Sequence, residues 1–158
     1  MRRRIFFRDI ILGGQDGLVN VLGIVLGVGA TQPLHTVLLT GLVATAAESV
    51  SMAAVAFTSM DAAASFYKKA PIDYNNPFLD AIMVGLASVI GSLVPLIAFW
   101  FGGAVTSVIT SAIVLYVVGF IRGSLSKENA VRAGIRLLVI GMLAAGVSFI
   151  VGVLVGRS

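Results

Sequence analysis

The chain has 158 residues, of which 58% are hydrophobic and 11% are charged, with a formal net charge of +4 and no cysteine. Soluble domains carry about 25% charged residues, so this composition indicates an integral membrane protein. Without cysteine, disulfides, thiolate metal sites and thiol nucleophiles are excluded. The basic residues lie in short blocks between apolar runs, as in loops at a membrane surface, so the positive charge does not indicate a nucleic-acid partner.

The first apolar run follows the basic start of the chain, an order that also occurs in cleaved secretory signals. Asp9 and Asp16 interrupt this run, and its apolar character continues past any usual cleavage point. We therefore expect a retained first helix. It is expected to end near Pro33, because proline breaks a helix.

The remaining apolar runs predict an all-α membrane protein with five transmembrane helices. A span needs about 20 residues, whereas the charge-free stretch 81–121 would be about 60 Å long as one helix. That stretch is therefore expected to fold back, and Gly102 and Gly103 are the expected position of the turn. The predicted spans are residues 8–30, 36–60, 79–101, 104–121 and 137–156, in a single transmembrane domain of residues 1–158 with a short cytoplasmic linker at 61–77.

The basic residues also predict the orientation. Ten of the eleven fall before span 1, between spans 2 and 3, or between spans 4 and 5, and Arg157 alone falls on the other side. Cytoplasmic loops are enriched in lysine and arginine. The N-terminus is therefore expected in the cytoplasm and the C-terminus outside.

Acidic and polar residues inside the first two spans predict a site within the membrane. A charged residue at the centre of a span costs roughly 2.5–3.5 kcal/mol on insertion scales, and such residues usually mark function. Counting from the cytoplasmic ends puts Asp16 level with Met52, and Asn20 level with Glu48, one turn deeper. If spans 1 and 2 pack together, these four side chains form a predicted ion path.

The chemistry of these four side chains favours a transported divalent ion. Carboxylate and amide oxygens with one thioether suit Fe²⁺ or Mn²⁺ better than Zn²⁺, which usually takes Cys or His ligands. Desolvation favours the protonated form of a buried acid, so a metal must displace protons, which predicts proton–metal exchange. No nucleophile–base set accompanies the single histidine, His35. We therefore expect no enzyme activity and no cofactor besides the transported ion.

Structural alternatives exist for three of these four residues. Asp16 is also suited to cap a helix that starts at Gly17, although too few residues would then remain to span the membrane. Glu48 can instead be a neutral acid hydrogen-bonded between helices, and Met52 can be core filler.

Span 1 also carries two G-xxx-G pairs, Gly13/Gly17 and Gly23/Gly27. Such pairs allow close approach of helices. They serve either packing within one chain or a seam between two copies.

Four segments resemble the vacuolar iron transporter family, in order and over essentially the whole chain. "RDIILGGQDGLVNVLGIVLGVGA" resembles its first helix, with the aspartate in a "DGLV" context, and "AAESVSMAAVAF" resembles its second, with a Ser-Met pair. "NNPFLDAIMVGLASVIGSLVPLIAF" is similar to the third helix and "GFIRGSLSKENAVRAGIRLLVIGMLAAGVSFIVGVL" to the fourth and fifth.

This resemblance implies a proton-coupled exporter of divalent iron or manganese from the cytosol. It also implies a parallel homodimer in the lipid bilayer, with an ion path lined by helices 1 and 2. The family's first-helix aspartate maps onto Asp16 and its second-helix methionine onto Met52. The expected membrane is the plasma membrane of a prokaryote, or a vacuolar or other endomembrane of a eukaryote.

The chain departs from the family pattern in two places. The glutamate of the family's Gly-Glu-Tyr triplet falls on Ala56, and the segment 61–77 contains Asp61 and Asp73 but no glutamate. Many members have a glutamate-rich metal-capture domain at that point, so this chain resembles a minimal membrane core.

Two rival functions remain open. One is a proton-driven exporter of organic cations, although such sites are usually lined by aromatics and none lies between Ile10 and Val55. The other is a non-transporting membrane partner or sensor module, for which the missing capture domain and Ala56 are the arguments.

Overall fold

The regular secondary structure of the described residues is entirely α-helical. The computed structural model describes residues 2–66, 77–126 and 128–156. These residues form four helices: α1 (Arg2–Gly29), α2 (Leu34–Phe66), α3 (Pro77–Leu125) and α4 (Ala130–Gly156). By length and composition, all four can cross a membrane. The predicted all-helical fold is confirmed for the described residues, whereas the five spans and the orientation of the termini stay predictions.

Helix α3 is bent at Gly103, where the chain leaves helical geometry with φ 69° and ψ −159°. Glycine adopts a positive φ without a steric penalty. Ser107 Oγ donates a hydrogen bond of 2.9 Å to the carbonyl oxygen of Pro95, two residues that would be about 18 Å apart along a straight helix. The segments 77–102 and 104–125, called arms 3a and 3b, therefore lie side by side, with the reversal where the sequence predicted it.

Helix α1 lies at the centre of the bundle and packs against α3 and α4. Its apolar side chains Leu18, Val21, Leu22 and Val25 are at most 1% exposed. Gly17, Gly23 and Gly27 lie near them in the sequence, and at these glycines the backbone of α1 comes close to its neighbours. The other helices are arranged around this one buried segment.

Both G-xxx-G pairs of α1 are used inside this chain. A Cβ added to Gly13 would lie 2.7 Å from the carbonyl oxygen of Val84 in arm 3a, and one added to Gly27 would lie 2.9 Å from that of Ser148 in α4. Such close approach leaves no room for a methyl group. Of the two alternatives for these pairs, the structure therefore favours packing within one chain.

The outer surface of the bundle is apolar, and part of its interior is polar. Trp100, Phe101 and Leu143 are 64%, 83% and 64% exposed, whereas Ser88 and Ser111 are fully buried. Hydrocarbon imposes no penalty on an apolar surface, and small residues allow helices to approach closely inside a membrane bundle. This distribution suits a lipid environment.

The helices are longer than the spans predicted from hydrophobicity. Helix α1 begins at Arg2, and α4 begins at Ala130 rather than near residue 137. Asn129 caps α4, since its Oδ1 accepts a hydrogen bond of 3.1 Å from the backbone N–H of Arg132. Helix α2 continues to Phe66, so it includes the first part of the predicted linker 61–77, and residues 67–76 lie outside the described ranges.

Two glycines of α4 test whether close packing of α1 and α4 stabilises the bundle. A Cβ on Gly152 would clash with the backbone of Gly27, whereas one on Gly146 would meet no described atom within 4 Å. We expect Gly152→Ala to lower the free energy of unfolding by about 1–3 kcal/mol, as overpacking does. Gly146→Ala is the matched control and should be neutral or stabilising by up to about 1 kcal/mol, because alanine favours helix. Thermal unfolding in detergent measures both, and equal behaviour of the two variants would contradict the packing described.

Candidate functional site

Asp16 lies in the middle of α1, with helical residues on both sides. The alternative that it caps a helix starting at Gly17 is therefore wrong. Asp16 and Asn20 are one turn apart on the same face of the helix, and both are exposed. This face of α1 is therefore less covered than the face that carries Leu18 and Leu22.

Asn20 joins α1 to α2 through a side-chain hydrogen bond. Its Nδ2 donates to Oε1 of Glu48 over 3.1 Å, between residues 28 positions apart in the sequence. The side chain of Glu48 is half-buried. Two residues that the sequence placed at one depth on facing helices thus lie in direct contact. Their part in ion binding stays a prediction.

Asp16 also acts electrostatically on Glu48. Glu48 is influenced most by its burial, then by its hydrogen bond from Asn20, and least by repulsion from the Asp16 carboxylate. Repulsion between like charges strengthens as the effective dielectric constant falls away from water. A cation or a proton between Asp16 and Glu48 relieves this repulsion, so the pair is suited to bind either one.

Met52 lies one turn along α2 from Glu48, towards arm 3a. It is half-buried and packs against an apolar cluster of Ala56, Met60, Ala81 and Val84. Met52 therefore packs against a cluster formed by α2 and arm 3a, one turn from Glu48. Packing of this kind is common for methionine, and a ligand role for Met52 stays a prediction.

Ala56 lies where the resemblance to the iron transporter family implied a glutamate. It is 8% exposed and forms part of the same apolar cluster between α2 and arm 3a. A carboxylate here would lose its hydration without a polar neighbour among the members of this cluster. An alanine suits this apolar cluster, whereas a carboxylate would be buried there without a polar partner from the cluster.

Few metal-ligating side chains lie close together in the described part of one chain. In the ranges 2–66, 77–126 and 128–156, no three His, Cys, Asp or Glu side chains gather closely enough to hold a metal ion. Asp16, Glu48 and the amide of Asn20 offer oxygen atoms of the kind that Mg²⁺, Ca²⁺ and Mn²⁺ accept. Such an arrangement suits transient binding of a passing ion better than a permanent structural site.

A groove between α1 and α4 adds a feature that the sequence reasoning missed. It has a volume of about 570 Å³ and runs from Asn20 past Gly23 and Ser148 to Thr31 and Gln32 at the end of α1. Asn20 therefore borders Glu48 on one side and this groove on the other. The sequence indicates this groove only through small residues on both helices: Gly23 and Gly27 in α1, and Ser148 and Gly152 in α4.

Comparisons with known proteins point to one family. A family model described as the VIT family matches residues 7–74 and 69–153. The chain is 30% identical to vacuolar iron transporter homolog 4 of Arabidopsis thaliana over 94% of its own length and 83% of that protein. It is 31% identical to vacuolar iron transporter homolog 2 of Oryza sativa subsp. japonica, over 96% and 91% of the two chains. An uncharacterized protein of Methanocaldococcus jannaschii is 28% identical, over 89% and 84%.

A double-mutant cycle tests the contact between Asn20 and Glu48. We expect Asn20→Ala and Glu48→Ala to be coupled by about 0.6 kcal/mol, and by no more than about 1.7 kcal/mol, the range of such bonds in membrane bundles. The control pair combines Asn20→Ala with Thr58→Ala, because the Thr58 hydroxyl donates to its own helix backbone, at Ala54 and Val55, and to no other partner among the described residues. Unfolding in mixed detergent micelles measures the free energies. A coupling as small as that of the control pair would argue against the hydrogen bond.

Proposed function

Because this chain belongs to the VIT family, we propose that it transports a divalent metal ion, Fe²⁺ or Mn²⁺, across a membrane. The ion leaves the cytoplasm in exchange for protons, and the chain carries out transport rather than catalysis. Relatives at about 30% identity are named as iron transporter homologs, which supports iron as cargo. The membrane is the plasma membrane in a prokaryote, and a vacuolar or other endomembrane in a eukaryote.

The observation that carries this proposal is the hydrogen bond from Asn20 to Glu48 beside Asp16. A carboxylate that is half-buried in a membrane-spanning bundle, with a second carboxylate in its neighbourhood, favours a positive partner. A divalent ion supplies it in the loaded state, and protons supply it after the ion has left. Proton exchange then follows from the need to keep the two acids neutralised throughout the cycle.

Each proposed site residue has a distinct role. Asp16 and Glu48 bind metal and proton in turn, and Asn20 holds the Glu48 carboxylate in one orientation through its amide. Met52 contributes a weak, soft contact that favours Fe²⁺ over the harder ions Mg²⁺ and Ca²⁺. These roles require movement of ions between α1 and α2, where Asp16 and Asn20 are exposed.

The proposed topology has five crossings. Arms 3a and 3b each have enough apolar residues to span the hydrocarbon, and the reversal at Gly103 supports a hairpin. With the basic loops in the cytoplasm, the N-terminus lies inside, the Gly103 turn outside and the C-terminus outside.

A homodimer would complete the ion path. Asp16 and Asn20 are exposed on a helix whose other faces are buried, next to the apolar side chains of α2, such as Val43 and Val50, which are 61% and 71% exposed. A second copy placed against α1 and α2 would shield the carboxylates from lipid and bring two more acids to the path. The G-xxx-G pairs do not contribute to this interface, because they pack within the chain.

A non-transporting partner module is the second candidate function. The observation in its favour is Ala56, which fills an apolar cluster where the family pattern has a carboxylate. Such a module would keep the fold and the Asn20–Glu48 contact without moving ions. Flux measurements on the isolated protein separate the two functions.

Replacement of Asp16 tests the transport proposal. We expect Asp16→Ala to reduce gradient-driven Mn²⁺ and Fe²⁺ flux in proteoliposomes at least a hundredfold, because the ion loses one of two carboxylates. Asp61→Ala is the matched control, since Asp61 is exposed near the end of α2, and this variant should transport normally.

Flux at the native rate in a folded Asp16→Ala protein would refute the site. No flux from the native chain would favour the partner module, and drug transport insensitive to excess Mn²⁺ would favour an organic-cation exporter.

Single-cysteine labelling tests the topology, because the native chain contains no cysteine. Ala104, beside the bend in α3, and Ser124, near the end of arm 3b, are both exposed. We expect Ala104→Cys to react with a membrane-impermeant maleimide applied outside intact cells, and Ser124→Cys to react only after permeabilisation. Labelling of both positions from the same side would contradict the hairpin.

A further inference from the structure

A second polar cavity lies on another side of α1, at the end of the bundle that carries the loop between arm 3b and α4. It has a volume of about 70 Å³ and is lined by the polar residues Gln15, Arg122, Glu128 and Arg136, with Ala133, Leu137 and Ile140. It shares no residue with the site formed by Asp16, Asn20 and Glu48. A cavity of this size has room for several water molecules or one small polar group.

The charges around this cavity do not balance. Two guanidinium groups, of Arg122 and Arg136, line it together with one carboxylate, that of Glu128. Within the described ranges, neither arginine forms an ion pair with an acidic side chain. Even if Glu128 turns toward one arginine, one positive charge remains without a counterion. Like charges at a low-dielectric boundary repel strongly, so the cavity favours an anion.

Gln15 provides a further polar group from α1. Its Oε1 is buried and has no hydrogen-bond partner among the described residues. The two ends of a glutamine amide exchange positions by a half-turn of the side chain, so this position can present a donor N–H₂ to a ligand. Buried polar atoms without partners are rare in folded proteins. The side chain is therefore suited to contact a molecule in the cavity.

An apolar track leads away from the cavity along α4. Ile140 lines the cavity and is 54% exposed, and Leu143 and Val147, farther along the same face, are 64% and 62% exposed. The spacing from Arg136 to Ile140, Leu143 and Val147 is that of one helix face. A molecule with a negatively charged head and long apolar chains would fit both parts.

We propose that this cavity binds the phosphate group of an anionic phospholipid, with the acyl chains along α4. Arginine presents a planar fork of donors that matches two oxygens of a phosphate. Basic pockets between membrane helices on the cytoplasmic side are suited to phospholipid head groups. The apolar track favours a lipid over a free phosphate ion. Bound lipid connects α1, arm 3b and α4 through Gln15, Arg122 and Arg136, and so stabilises the end of the bundle nearest Asp16.

Lipid titration of the purified chain tests this assignment. Native mass spectrometry measures binding of phosphatidylglycerol, phosphatidylcholine and inorganic phosphate to the native protein and to Arg136→Gln. We expect phosphatidylglycerol to bind more tightly than phosphatidylcholine, and its affinity to fall at least tenfold in Arg136→Gln. Arg132→Gln is the matched control, because Arg132 is an exposed arginine one turn away on α4 that does not line the cavity. It removes the same charge and should change the affinity less than twofold.

The outcomes separate the possible sources of binding. Equal loss in Arg136→Gln and Arg132→Gln would mean general attraction to the basic loop and would overturn the site. Equal affinity for the two phospholipids would overturn it as well. Inorganic phosphate that displaces the lipid, and depends on Arg136 in the same way, would keep the phosphate site but assign it to the free ion.

A second variant guards against loss of fold. If Arg136→Gln does not fold, Arg136→Lys keeps the charge without the fork and should give an intermediate affinity. Gln15→Leu should also weaken binding, whereas unchanged affinity in both of these variants would overturn the proposal.

Discussion

Close backbone contact between α1 and its neighbours is the constraint on which the rest of the structure depends. Glycines let α1 lie within van der Waals distance of arm 3a and α4, and a methyl group at Gly13 or Gly27 would be obstructed by backbone atoms. Helices in a membrane gain little from the hydrophobic effect between them, so dispersion contacts of this kind supply much of the association energy. Once α1 is held on these sides, the face with Asp16 and Asn20 is the part that remains open.

That open face gives the acidic site its properties. Glu48 approaches from α2 and accepts a hydrogen bond from Asn20, while Asp16 stays near enough to repel it. The arrangement combines one hydrogen-bonded carboxylate with one exposed carboxylate, and Ala56 lies where the resemblance implied a third acid. Two acids and an amide bind a divalent ion less tightly than a full cage of ligands does, and a transported ion must also be released.

Adjacent residues of α1 serve different surroundings because successive side chains on a helix point about 100° apart. Asp16 belongs to the face shared with α2, whereas Gln15 lines the cavity shared with Arg122 and Arg136. A ligand in that cavity would act on the same helical turn that carries the membrane aspartate. Packing of α1 thus connects a proposed lipid site with a proposed ion path without any shared residue.

The sequence by itself determined the membrane class, the helical fold, the reversal at Gly102 and Gly103, and the matching depths of Asn20 and Glu48, because hydrophobic run length and helical rise are local quantities. It left open whether Asp16 capped a helix, whether the glycine pairs packed within the chain, and which side chains surrounded Gln15. Tertiary structure decided these points, because they depend on which faces of four helices meet. The helix ends at Phe66 and Ala130 also differed from prediction, since hydropathy reports the apolar part of a helix and not the capped turns that extend beyond it.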